Sequence, residues 1–121
     1  MTDERAVDEI EGPVDSASTI ATRDWFAWNN LQPSGPSRFH VTGDVHVPNP
    51  GVDALLVPRV PPVLNPTILL LDVILKQAPG TWPQVFVWAP VRYDKVPGYF
   101  QHVQIFAGGK VIADVPAHDV H

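Results

Sequence analysis

The sequence predicts an all-β protein, a small antiparallel β-sandwich behind an acidic N-terminal extension. Three observations predict it. Of the 14 prolines, 13 lie between Pro33 and Pro116, and proline breaks helices but is tolerated at strand ends, edges and turns. Apolar and polar residues alternate with a period of two in several short stretches, as in half-buried strands. Turn signals separate those stretches at roughly 8- to 12-residue spacing, the rhythm of sandwiches and, less often, of small barrels. A chain of 121 residues suits one domain around one core.

The extension comes first. Residues 1–24 hold seven acids and two bases, a net charge of -5; residues 25–121 hold six of each, a net charge of 0. The division is read as an acidic N-terminal extension, 1–24, and a single β-sandwich domain, 25–121. A helix over Glu4 to Glu11 would be marginal at that length, and the composition is that of a solvated tail. Next comes "RDWFAWNNLQ". On a helical turn Trp25 and Trp28 share a face. The segment 25–32 is expected to be an aromatic anchor, with Trp25, Phe26, Trp28 and Leu31 covering one sheet face. Burying them would contribute about 5–10 kcal/mol before entropy is counted.

The strands come in order. "RFHVTGDVHVP" alternates strictly: Phe39, Val41, Gly43, Val45 and Val47 face one way, and Arg38, His40, Thr42, Asp44 and His46 the other. Pro48 to Gly51 is a turn. Val52 to Val60 is a strand whose Pro58 marks an edge or bulge, and "PPVLNP" is an irregular crossing. Residues 66–78 fit two readings. As a helix the segment would have Asn65 at the N-cap, Pro66 at N1 and Pro79-Gly80 as a stop. As a strand, Thr67 to Gln77 is apolar on both faces, and strand neighbours favour this reading. Gln84 to Asp94 is a strand with Val85, Val87, Ala89 and Val91 on one face and Phe86, Trp88 and Arg92 on the other. Tyr99 to Val115 is a hairpin about Gly108-Gly109, because glycine takes the positive φ of tight hairpin turns. A regular two-residue hairpin pairs Ile105 with Ile112 and Val103 with Asp114 on one face, and Gln104 with Ala113 on the other.

Chemical motifs are sparse. With no cysteine there is no disulfide framework, thiolate metal site or thiol nucleophile. No nucleophile elbow or phosphate-binding glycine loop occurs, and no catalytic residue is assigned. His40 and His46 share a strand face but lie about 20 Å apart, too far for one ion. His118 and His121 offer a weak pair, short of the three or four ligands that tetrahedral zinc needs. No metal or cofactor is expected. A neutral body without a basic stripe argues against nucleic acid and anionic membrane as partners. No signal sequence is recognised, and the longest apolar run, Ile68 to Leu75, is too short for a span of about 20 residues. The expectation is a soluble cytoplasmic protein, although a mature secreted form reads the same.

The order "FHVTGDVHVPNPG…LLVPRVPP…NPTILLLDVIL…VRYDKV…HVQIFAGGKVIADV" resembles small bacterial β-sandwich proteins of the immunoglobulin/transthyretin-like type. The resemblance covers roughly residues 36–115, rests on no functional motif, and implies a fold and no site.

Three functions are weighed. The first is a non-catalytic binding or assembly module working through protein–protein contacts, including self-association. The second is a small-ligand or carbohydrate-binding module using Trp25, Trp28, Trp82 and Trp88 as a stacking platform. The third is a small-barrel enzyme with His40 or His102 as base and Tyr93 or Asp94 nearby; no acid–base pair at a defensible spacing supports it.

Overall fold

A computed structural model describes residues 20–59 and 66–121. Seven strands form: β1 (Thr22–Asn30), β2 (Arg38–Val47), β3 (Val52–Pro58), β4 (Ile68–Gln77), β5 (Val87–Lys95), β6 (His102–Ala107) and β7 (Lys110–Val120). Among the described residues no helix forms, so none is long and apolar enough to cross a membrane. Residues 66–78 take the strand reading. The expected helix over Glu4 to Glu11, residues 1–19 of the acidic extension and most of "PPVLNP" lie outside the described residues.

The strands make one sheet in the order β3-β4-β6-β7-β1-β2-β5. The end strands β3 and β5 approach each other, so the sheet closes on itself nearly as a barrel. The sheet is mixed, which corrects the all-antiparallel expectation. β4 runs parallel to β6, and β7 runs parallel to β1; the other four pairings are antiparallel. Strand β7 is the seam. Its first part pairs with β6 and its last four residues, Ala117–Val120, pair with β1.

The core lies between the two halves so joined. Ala27, Phe39, Val41, Val45, Val47 and Val91 come from the β1-β2-β5 half. Val52, Leu56, Leu71, Val73, Val103, Ile105 and Val115 come from the other. The alternation of β2 is realised over its whole length, with Phe39 to Val47 buried at every second position. β3 is an end strand of the sheet, consistent with its Pro58.

Two local irregularities decide which residues face the core. In β1, Arg23 pairs with Asp44 and Phe26 with Thr42, so β1 holds one residue more than β2 across this interval. That β-bulge contains Asp24 at φ 58, a left-handed conformation that Asp tolerates better than most residues. The extra residue turns Trp25 inward. In the β6–β7 hairpin, Phe106 pairs with Val111 but Ile105 pairs with Ala113, leaving Ile112 as the extra residue. The regular register expected beyond Phe106–Val111 is therefore corrected by one residue: Val103 meets Val115 and Gln104 meets Asp114. The bulge keeps Val115 in the core and Asp114 in water, which a regular hairpin would have reversed.

Buried polar groups are paired within the fold. The fully buried Asn29 donates from Nδ2 to the Phe100 carbonyl (2.8 Å) and accepts from the Phe100 amide at Oδ1 (3.1 Å). It thus binds the β5–β6 connection to β1. Asn49 and Gln77 exchange amide hydrogen bonds of 2.9 and 3.1 Å and hold the β2–β3 turn against the end of β4.

Candidate functional site

The four tryptophans divide into two pairs with different placements. Trp25 and Trp82 are plugs over glycine. Trp25 packs on the backbone of Gly43 against the core and donates its indole N–H to Thr22 Oγ1 at 2.9 Å. Trp82 packs on Gly51 and donates to the Ala78 carbonyl at 3.1 Å. Trp28 and Trp88 instead stand on the outer face of the β1-β2-β5 half.

The segment expected as an anchor is a central strand. β1 is paired on one side with β2 and on the other with β7. Three residues apart in a strand means opposite faces, so Trp25 and Trp28 do not share one as they would on a helical turn. The domain's strand structure also begins at Thr22, inside the stretch read as extension.

The outer face is built on the polar positions of β2. Trp28 and Asp94 flank His40, Phe26 and Arg92 flank Thr42, Arg23 and Pro90 flank Asp44, and Trp88 is opposite His46. These side chains pack into two aromatic clusters. In the first, Phe26 lies 5.4 Å from Trp28 and stacks on His118 at 5.2 Å, and Trp28 lies 5.0 Å from His40. In the second, His46 stacks on Trp88 at 4.5 Å and lies 4.8 Å from Phe86, while the Arg23 guanidinium sits 4.0 Å over the Trp88 ring. Aromatic and cation–π pairs of this kind add about 0.5–1.5 kcal/mol each beyond area burial. Phe26 is 47% exposed and Phe86 61%. Between the clusters lies an open depression of about 530 Å³ lined by Asp24, Thr42, Asp44, Pro90 and Arg92.

Ion pairs stitch the same face. His40 Nδ1 lies 2.6 Å from Asp94 Oδ1, and Arg92 Nε donates to both Asp94 oxygens at 3.0 and 3.1 Å. Partial burial pushes the Asp94 carboxyl upward, but the hydrogen bonds from His40 and Arg92 and the positive charge beside it outweigh that and hold its pKa below the usual carboxylate value. At the other end Arg23 Nε donates to Asp44 at 3.3 Å and lies 3.6 Å from Asp24.

His40 and Asp94, the one a candidate base and the other a nearby group in the enzyme reading, thus form an acid–base contact that no spacing in the sequence supported. No chain interval signals it, because it depends on the β2–β5 register, which sets His40 opposite Asp94. Tyr93 takes no part: it pairs with Val41 and packs towards the core. His102, the other candidate base, lies on the β6 side at 3.4 Å from Asp114. Among the described residues no group of three or more His, Asp or Glu is gathered as a metal site. Arg92 and the Trp28 indole surround the His40–Asp94 pair. Among the described residues no hydroxyl is bonded to the pair, and the arrangement ties β2 to β5 and presents a polar, aromatic surface.

No protein-family model, curated protein or solved structure matches this chain. The outer face is therefore read on its own geometry.

Proposed function

We propose that the protein is a non-catalytic binding module that makes protein–protein contacts through the outer face of β1, β2 and β5. The observation that carries this is the pre-packed layer of Trp28, Trp88, Arg23, Arg92 and His40, from which Phe26 and Phe86 project. Tryptophan and arginine dominate the energetics of protein interfaces. Held in place by their neighbours, these side chains lose little conformational entropy when a partner arrives.

The carbohydrate reading is weaker on the same geometry. A sugar stacks on an open indole face, whereas Trp88 already has Arg23 over its ring and His46 stacked on it. Trp25 and Trp82 are turned onto glycine backbone. A sugar would have to displace packed neighbours at each ring.

Selection of peptides displayed on phage against the full chain, run beside a glycan array, tests the proposal. Enriched peptides that lose binding on Phe26→Ala, with a blank glycan array, support it. Glycan binding abolished by Trp88→Ala, without peptide enrichment, refutes it.

A further inference from the structure

The charges of the outer face are arranged by position along β2. At the Arg38 end, Arg38 and Arg92 face the single acid Asp94, a net charge of +1, with Lys95 beyond them at the end of β5. At the Asp44 end, Asp24 and Asp44 flank the single base Arg23, a net charge of -1. The two ends lie about 20 Å apart, six strand residues at about 3.3 Å each. Among the described residues Arg38 has no carboxylate partner. Asp44 engages Arg23 through Oδ2, leaving Oδ1 for a second donor.

A face that is positive at one end and negative at the other is complementary to itself when reversed. A two-fold axis does this: what residue i meets on residue j, j meets on i. We infer that the partner of this face is a second copy of the chain, packed outer face to outer face with the strands reversed, so that Arg38 of each copy meets Asp44 of the other. The inference rests on the reading of this face as a protein-contact surface. An axis between His40 and Thr42 places Arg38 over Asp44, with Phe26, which pairs with Thr42, beside it. Phe26 and Trp28 then lie between the two rim ion pairs, with Arg92 and Asp94 beside them, and the Trp88 cluster lies beyond Asp44.

Size sets the strength. β1, β2 and β5, about 4.8 Å apart and nine or ten residues long, present roughly 450 Å², and Ala117–Val120 of β7 add about 60 Å². Two copies bury about 1,000 Å², the lower bound for a specific interface, so the dimer is weak and reversible.

Sedimentation equilibrium of the full chain at rising concentration reads it, with Arg38→Asp and Asp44→Lys as variants. The wild type should approach twice 13.3 kDa. Each variant alone sets like charges against each other at both rims and should associate at least tenfold more weakly. An equimolar mixture restores opposite charges at both rims and should dimerise again. A wild type that stays monomeric, variants that dimerise unchanged, or a mixture that does not recover overturns the inference. If Asp44→Lys does not fold, the indole N–H resonances of the wild type decide. Those of Trp28 and Trp88 should move with concentration while those of Trp25 and Trp82 stay; any other pattern overturns it. A monomer that still binds displayed peptides through Phe26 removes the second copy and keeps the proposed function. A monomer that binds none removes both.

Discussion

Replacing Gly43 by alanine tests the account of Trp25 most directly. A Cβ on Gly43 would lie 2.3 Å from Trp25 Cε3 and 2.6 Å from Cδ2 and Cζ3. Carbon atoms in contact sit about 3.5–4.0 Å apart, so the ring must retreat by roughly 1.2 Å or more. Its retreat is opposed on two sides. The Asp24 bulge sets the direction of Trp25, and the indole N–H is tied to Thr22 Oγ1 at 2.9 Å. Overpacking of this kind costs about 1–3 kcal/mol. The sign is diagnostic, because without a clash Gly→Ala stabilises by about 0.4–1 kcal/mol through the unfolded chain. Urea unfolding should show Gly43→Ala less stable by about 1–3 kcal/mol with an unchanged m-value, a fall in Tm of roughly 5–20 °C. In a Trp25→Leu background the same substitution should cost less by at least 1 kcal/mol, as expected for residues in contact. A Gly43→Ala protein as stable as the wild type, or additive effects in the two backgrounds, would refute the plug.

The same packing has other consequences. Asn29→Leu leaves the Phe100 amide and carbonyl without their buried partner, so urea unfolding should register a loss of about 2–5 kcal/mol. The Asp94 carboxyl titrates below its unfolded value, so the stability it contributes is present above about pH 4 and is lost as pH falls through the depressed native value. Asp94→Asn should therefore flatten the acid limb of a stability–pH curve below about pH 4. The hydrogen bond from the Tyr99 hydroxyl to Asp119 Oδ2, 3.1 Å, raises the Tyr99 pKa above its ordinary value. Asp119→Asn should return it towards that value, read as an earlier rise in phenolate absorbance.

Six of the seven strands, their order in the chain and the inward set of β2 were legible in the sequence; β1 was not, having been read as an aromatic anchor. Alternation from Phe39 to Val47 is a property of the residues themselves, and a one-residue slip would place the whole set in water. Proline density and Gly108-Gly109 likewise act within a few residues. The long apolar segment of β4 was settled as a strand only by its neighbours, since apolar runs of that length suit either state.

The candidate site was legible only in part. Trp28 and Trp88 were singled out by residue type, and the fold does set them on one outer face. Trp25 and Trp82 were singled out for the same reason and lie elsewhere, because each indole needed a glycine backbone to lie on, and Gly43 and Gly51 are remote in sequence. The His40–Asp94 pair spans 54 residues and exists through register alone. Two single-residue bulges, in β1 and β7, each reverse the facing of the residues beyond them, and no composition signal marks them.

The sequence by itself determined that the chain is all-β, which residues of β2 are buried, and that a neutral body succeeds an acidic beginning. Those features arise from periodicity, proline and charge, which act over short distances along the chain. The tertiary structure decided that two pairings are parallel, that β7 joins the two halves, and that aromatics, arginines and histidines from four strands share one face. Such contacts arise only when the backbone hydrogen bonds of distant segments are paired and the common core is closed, so no single segment encodes them.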